Sequence, residues 1–188
     1  MSQSADTPIV SLHNVSKSFG RVFALEGINL DFYPGQIVSL VGDNGAGKST
    51  LTKIISGTED PDSGGGIIID NEKVGKWSAA RARNRGIETV HQNRALSEQQ
   101  SIYANVFLGR EKTNRFGFVS RKAEIAETEA LMRKIGYTSK VWTPKSTVNK
   151  LSGGERQGVA ISRAILFESR LVMLDEPTTA MALSEAAE

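Results

Sequence analysis

The most constraining feature of this chain is a glycine-rich segment at residues 42–50, Gly-Asp-Asn-Gly-Ala-Gly-Lys-Ser-Thr, directly after an apolar run at 37–41. It fits the pattern Gly-x4-Gly-Lys-Ser/Thr in its required order of strand, tight turn and helix. Glycines accept positive φ angles, so several backbone N–H groups can point into one hollow. The start of the following helix adds a positive dipole end. The segment therefore predicts a phosphate-binding loop (P-loop) with a nucleotide as its ligand, in preference to an ordinary glycine-rich turn.

Within this loop, Lys48 is placed to reach the β- and γ-phosphates, and the Ser49 hydroxyl can bind Mg²⁺. The predicted ATP-binding residues are those of the loop and the helix start: Gly42, Asp43, Asn44, Gly45, Ala46, Gly47, Lys48, Ser49 and Thr50.

A second motif is the apolar run 171–174, which is followed by Asp175, Glu176 and Pro177. A continuous apolar run predicts a strand buried on both faces of a sheet, and ligands of such sheets bind beyond the carboxyl ends of the strands. Asp175 is therefore a candidate Mg²⁺ ligand, and Glu176 can orient or deprotonate an attacking water. The alternative is a buried strand that ends in a solvated acidic turn.

The third motif is residues 151–157, Leu-Ser-Gly-Gly-Glu-Arg-Gln, which opens a segment with helical spacing. Ser152 suits a helix N-cap, and Gly153 and Gly154 leave the first N–H groups uncovered. This predicts a second phosphate-binding helix start, which two chains placed head to tail could bring to one nucleotide. For this motif alone, a capped helix with a glycine-rich start is the simpler interpretation.

Together these motifs resemble the nucleotide-binding subunits of ATP-binding cassette (ABC) transporters, over about residues 9–183. The resemblance implies that Phe19 stacks on adenine and that Gln92 contacts Mg²⁺ and the membrane subunit. It also implies that Lys48, Gln92 and Glu176 are catalytic, and that Mg²⁺ is bound by Ser49, Gln92 and Asp175. It assigns Ser152, Gly153, Gly154 and Glu155 to the ATP site of a partner cassette.

Residues 101–111, Ser-Ile-Tyr-Ala-Asn-Val-Phe-Leu-Gly-Arg-Glu, are similar to a stretch in importers of ribose, xylose and fructose. The alternative here is an amphipathic helix with Val106, Phe107 and Leu108 in the core. The importer resemblance implies ATP and Mg²⁺ as cofactors, a transmembrane permease subunit, a second nucleotide-binding domain and, indirectly, a periplasmic sugar-binding protein. It implies a peripheral location on the cytoplasmic face of the inner membrane.

Composition agrees with this interpretation. The 188 residues include 23 basic and 21 acidic side chains, a net charge of +2 that gives no reason to expect nucleic acid as a partner. The chain has no cysteine, which excludes disulfides and thiolate metal sites. Apolar runs are all shorter than a membrane span, so we expect membrane association to come through a partner.

The expected fold class is α/β: a P-loop NTPase fold with a mixed central sheet, an antiparallel β edge subdomain and a helical subdomain insert. Residues 1–8 are expected to be disordered, and 9–188 to form the nucleotide-binding domain. Strands are predicted at 9–15, 25–32, 37–41, 67–70 and 87–90, with a helix at 49–55. The helical subdomain is placed at about 94–150, and a helix capped by Ser120 and ended by Gly136 should bury a stripe formed by Ile125, Leu131, Met132 and Ile135.

The chain departs from the family pattern after Pro177. Its two histidines, His13 and His91, do not match the family's switch histidine, and the loop at 178–183 looks two residues too long. We expect the family's C-terminal segment to be missing and this chain alone to hydrolyse ATP poorly. The alternatives to a sugar-import ATPase are a nucleotide-binding fragment without turnover and a non-transport ABC ATPase, with a P-loop kinase of small molecules as a more distant one.

Overall fold

A computed structural model of the chain describes residues 7–91, 96–135 and 142–175. These residues form two compact units. The first unit holds the residues up to Thr89 together with Arg170–Met173, and the second holds the residues from Val90 to Ser169 with Leu174 and Asp175. In the described ranges, no helix has the length and apolar character that crossing a bilayer requires.

The first unit is built on a four-stranded antiparallel sheet with the order β2-β1-β3-β4. Its strands are β1 (Val10–Phe19), β2 (Val22–Phe32), β3 (Gly66–Ile69) and β4 (Glu72–Lys73). β1 and β2 form a hairpin closed by a two-residue turn, in which Gly20 has a φ of 64°. The predicted antiparallel sheet and the predicted strands at 9–15, 25–32 and 67–70 are thereby confirmed.

Helices α1 (Lys48–Ile55) and α2 (Ala79–Asn84) complete the first unit. The apolar side chains of α1, at positions spaced by three and four, all lie on its buried face: Leu51, Ile54 and Ile55. They join the apolar core that also contains Val10, Leu12 and Ile69 of the sheet. Because the core fixes this face of α1, the first turn of the helix, from Lys48 to Thr50, stays accessible.

The predicted strand at 37–41 is wrong. These residues form no strand, and Ile37 and Val41 are 95% and 91% exposed. A strand needs a neighbour to accept and donate its ladder hydrogen bonds, and none of the residues in the described ranges pairs with this segment. The apolar run identified an extended segment but could not supply its partner.

A separate two-stranded sheet contains β5 (Ile87–His91) and β6 (Leu171–Asp175). Both strands were predicted, but β6 was expected to be covered on both faces. Met173 is buried, whereas Val172 and Leu174 are exposed, so the strand alternates like one with a single covered face.

The second unit is helical, with α3 (Ile102–Val106), α4 (Arg121–Lys134), a 3-10 turn (Val148–Lys150) and α5 (Gly153–Leu166). Its core includes Ile102, Val106, Phe107, Leu131, Val148, Leu151 and Val159. Leu108, which the alternative interpretation of residues 101–111 placed in the core with Val106 and Phe107, is exposed. The buried amide of Asn105 ties α3 to the preceding loop, because its Oδ1 accepts from the Ser97 N–H at 2.7 Å and its Nδ2 donates to the Ser97 carbonyl at 3.0 Å.

The stripe predicted for α4 is partly wrong. Leu131 and Met132 are buried as expected, but the fully buried positions one and two turns earlier are Thr128 and Glu124, not Ile125. Both polar side chains are satisfied: Glu124 Oε1 accepts from the Lys112 N–H at 3.0 Å, and Thr128 Oγ1 donates to the Glu124 carbonyl at 2.8 Å. Apolar spacing alone could not reveal these hydrogen-bond partners. The predicted helix end, Gly136, lies outside the described residues.

Candidate functional site

The glycine-rich loop adopts the conformation that its sequence predicts. Gly42, Gly45 and Gly47 have positive φ angles of 158°, 88° and 83°. Gly47 is the N-cap of α1 and lies so close to β2 that an added Cβ would be 2.3 Å from the Ala24 carbonyl oxygen. The left-handed conformation and this close approach both require glycine at position 47.

The start of α1 is an open anion site. Within the described part of the chain, the amides of Lys48, Ser49 and Thr50 donate to no protein acceptor, and the helix has no side-chain cap and no acidic residue in its first turn. Such N–H groups, together with the helix dipole, attract a phosphate. The Ser49 side chain is exposed at this end.

Lys48 bends back over the loop. Its Nζ donates to the Gly42 carbonyl at 2.6 Å and to the Asp43 carbonyl at 2.7 Å. An ammonium group has three donors, so these contacts hold the charge at the loop while leaving donor capacity for a phosphate oxygen. The contacts place the predicted phosphate-binding cation beside the uncovered helix start.

The residues present fit Mg²⁺ as it occurs with nucleotides. Among the described residues, no three histidine or carboxylate side chains cluster as a metal site. Mg²⁺ at nucleotide sites needs no such cluster, because phosphate oxygens and water supply most of its ligands beside one or two protein oxygens. The exposed Ser49 hydroxyl supplies an oxygen of the required type, and the role of Asp175 as a ligand stays a prediction.

Phe19 lies at the end of β1, beside the hairpin turn, with its ring half-exposed. The Lys17 Nζ lies 5.3 Å from the centroid of this ring and 2.7 Å from Glu59 Oε1. The hydrogen bond to Glu59 raises the pKa of the Lys17 ammonium, so the group stays charged near the ring. The sequence motifs do not indicate this role for Lys17, although it lies two residues before Phe19 on the same strand.

The second predicted helix start has the capping box that its sequence indicates. The Glu155 N–H donates to Ser152 Oγ at 3.3 Å, and the Ser152 N–H donates to Glu155 Oε2 at 2.7 Å. As far as the described residues go, the amides of Gly153 and Gly154 donate to no protein acceptor. The simpler interpretation, a capped helix, is therefore correct. The helix start nevertheless keeps two backbone donors that the cap does not use.

Trp142 is a further residue of this helix start that sequence reasoning missed. Its Nε1 donates to Glu155 Oε1 at 2.9 Å, so both oxygens of the Glu155 carboxylate are engaged. A tryptophan ten residues before the cap carries no recognisable signal in the sequence.

The predicted site residues fall into three groups. The loop residues and Phe19 lie in the first unit, and Ser152 to Glu155 and Asp175 lie in the second. Gln92 and Glu176 lie outside the described residues, and their roles stay predictions.

Comparison with known proteins is consistent with these observations. A family profile described as "ABC transporter" matches residues 25–179. The chain is 42% identical over 178 residues to the xylose/arabinose import ATP-binding protein XylG of Sulfolobus acidocaldarius, covering 95% of this chain and 69% of that protein. It is 41% identical to the fructose import ATP-binding protein FrcA of Rhizobium meliloti, covering 97% and 72%.

A longer relative is the ribose import ATP-binding protein RbsA 2 of Streptomyces avermitilis, which is 38% identical over 99% of this chain but only 36% of its own length. Among solved structures, the ADP conformation of an ATP-binding cassette of an ABC transporter superposes with a TM-score of 0.76 at 22% identity, covering 96% of this chain and 73% of that one. This likeness establishes the fold, which is the P-loop NTPase fold expected from the sequence.

Proposed function

Because this chain belongs to the ABC transporter family, we propose that it is the ATP-binding subunit of an importer of simple sugars, in which ATP binding and hydrolysis drive transport. The observation that carries the nucleotide function is the uncovered start of α1 beside Lys48. The sugar class rests on the similarity to xylose/arabinose, fructose and ribose import proteins.

Lys48 and the loop amides from Gly45 to Thr50 bind the phosphates, and Phe19 stacks on the adenine. Ser49, Asp175 and Gln92 would hold Mg²⁺, which would supply positive charge to neutralise the β- and γ-phosphates. Glu176 orients a water and accepts its proton while the water oxygen bonds to the γ-phosphorus. The bond between that phosphorus and the β–γ bridging oxygen breaks, and ADP leaves.

The partners follow from the two separate helix starts. Ser152, Gly153 and Gly154 complete the ATP site of a second cassette placed head to tail, because the uncovered amides of Gly153 and Gly154 can contact its γ-phosphate. The complex also contains a transmembrane permease, which a periplasmic sugar-binding protein supplies with sugar. The chain is then peripheral, on the cytoplasmic face of the inner membrane.

Calorimetric titration with Mg-ATP tests the nucleotide site. Lys48→Ala removes a charge-assisted hydrogen bond and should weaken binding about 10- to 150-fold, since such bonds contribute roughly 1.5–3 kcal/mol. The matched control is Lys53→Ala, an exposed lysine in the last turn of the same helix, which should bind normally. Equal affinity of wild type and Lys48→Ala would contradict the assignment.

A further inference from the structure

A tight loop at residues 113–119, here the Phe116 loop, is held in one conformation by its own hydrogen bonds. Thr113 and Val119 pair across its base, and the Asn114 N–H donates to the Phe118 carbonyl at 2.8 Å. The Asn114 side chain fixes the tip, because its Oδ1 accepts from the N–H groups of Phe116 at 2.9 Å and Phe118 at 3.1 Å. The loop therefore has a defined conformation.

The Phe116 loop presents large apolar side chains to solvent. Phe116 and Phe118 are 68% and 71% exposed, and Val119 is half-exposed. The guanidinium of Arg115 lies 4.7 Å from the Phe116 ring centroid. Four N–H groups of the loop, those of Asn114, Phe116, Gly117 and Phe118, are bonded inside it. The unfavourable feature of the tip is therefore its exposed apolar surface, which burial of the rings in an apolar medium would remove.

The base of the loop is fixed to α4. The Ser120 N–H donates to the Lys112 carbonyl at 2.6 Å, and the Lys112 N–H donates to the buried Glu124 carboxylate at 3.0 Å. These contacts keep the tip projecting from the start of α4, where Arg121 and Lys122 are exposed.

The charge around the loop is mostly positive. Residues 110–122 contain five basic side chains and one acidic side chain. Lys112 is paired with Glu127, which leaves Arg115, Arg121 and Lys122 as exposed cations around the two phenylalanines. The carboxylate of Glu111, which accepts a hydrogen bond from the Gly109 N–H, offsets one of these charges, so residues 110–122 keep a net charge of +4 (five basic minus one acidic).

We propose that the Phe116 loop is a contact with the surface of an anionic bilayer, in which Phe116 and Phe118 enter the headgroup–acyl boundary and Arg115, Arg121 and Lys122 bind lipid phosphates. Aromatic rings with a basic rim suit this interface, and each cation near it raises partitioning about fivefold. An exposed aromatic tip with several N–H groups bonded inside the loop and a net positive charge around it favours a lipid surface over a protein groove. This inference goes beyond the proposed function and does not depend on it.

Co-sedimentation of the full chain with vesicles tests the proposal. Vesicles with one-third phosphatidylglycerol in phosphatidylcholine should bind the chain, and pure phosphatidylcholine should bind it at least tenfold less. Phe116→Ser/Phe118→Ser and, separately, Arg121→Gln/Lys122→Gln should each reduce binding about tenfold or more. The matched control is Phe23→Ser, which removes a phenylalanine that is also 71% exposed but lies on β2, and it should bind like wild type.

Each variant changes exposed side chains, so melting temperatures and Mg-ATP affinity should not change, which separates this test from that of the nucleotide site. The proposal is overturned if the wild type does not bind anionic vesicles, or if the two double variants bind them normally. It is equally overturned if vesicle binding is absent while the phenylalanine pair is needed to bind a membrane subunit in detergent, because the occupant is then a protein.

Discussion

At the scale of single residues, Asp70 and Arg170 form a two-bond ion pair across one hundred positions of sequence. Arg170 Nη1 donates to Asp70 Oδ2 at 2.8 Å and Nη2 to Oδ1 at 2.6 Å. The hydrogen bonds from Arg170 hold the pKa of the Asp70 carboxyl below its ordinary value of 3.8, and the charge of Arg85 acts in the same direction. The pair links the end of β3 to the residue before β6.

This pair predicts an acid-sensitive part of the stability. Folding lowers the pKa of Asp70, so the ionised carboxylate adds to the free energy of unfolding. This contribution is complete above the unfolded-state pKa and is lost as the pH falls through the folded-state pKa. Asp70→Asn should cost about 1 kcal/mol at pH 7, since the pair is partly solvated, and nothing once wild-type Asp70 is protonated. Urea unfolding between pH 7 and pH 2 measures the difference.

The control for this measurement is Asp31→Asn, which changes an exposed carboxylate on β2. It should show less loss at pH 7 than Asp70→Asn. A stability difference between wild type and Asp70→Asn that is the same at pH 7 and pH 2 would assign the effect to packing instead of charge.

At the scale of elements, the start of α5 depends on a residue outside the helix. The indole of Trp142 engages one oxygen of Glu155, and the other oxygen closes the capping box with Ser152. Trp142→Phe keeps an aromatic ring but removes the N–H donor, so we expect Glu155 and the Gly153–Gly154 amides to be held less firmly. The ATPase rate should fall about three- to tenfold, while Mg-ATP affinity of the single chain is unchanged.

Trp77→Phe is the matched control, because the Trp77 indole also donates one hydrogen bond, to the Ile55 carbonyl at 3.1 Å, but in the first unit. Both variants should lose similar stability. If both lower the ATPase rate equally in proportion to their melting temperatures, Trp142 has only a structural role.

The elements also show what sequence can predict. Motifs whose partners are local, such as the start of α1 at Lys48 and the Ser152 cap, are predicted correctly because their side-chain contacts lie within six residues. The strand at 37–41 is predicted wrongly because a strand needs a ladder partner that is distant in sequence. The buried positions of α4 are predicted wrongly because the burial of Glu124 depends on a hydrogen bond from the Lys112 amide. The hydrogen bond from Trp142 to Glu155 is likewise a contact that the sequence does not reveal.

At the scale of the whole molecule, the phosphate-binding loop lies in one compact unit and the Ser152–Glu155 helix start in the other. A head-to-tail pair of chains would place the loop of one beside the helix start of its partner, so that each site takes residues from both chains. This arrangement predicts that two different inactive variants can restore one complete site when they are mixed.

Lys48→Ala inactivates the loop, and Gly154→Asp inactivates the second helix start by putting a carboxylate where phosphate should bind. Gly154→Asp should still fold, because a Cβ at Gly154 meets no atom within 4 Å and an acidic residue is favourable in the first turn of a helix.

Each variant alone should be inactive. In an equimolar mixture, half of the dimers are mixed and have one intact site of two, so about a quarter of the wild-type ATPase rate should return. Mixing Gly154→Asp with the double variant Lys48→Ala/Gly154→Asp leaves no intact site and should restore nothing. If the first mixture is as inactive as this control, while wild type is active, the two helix starts do not share a nucleotide between chains.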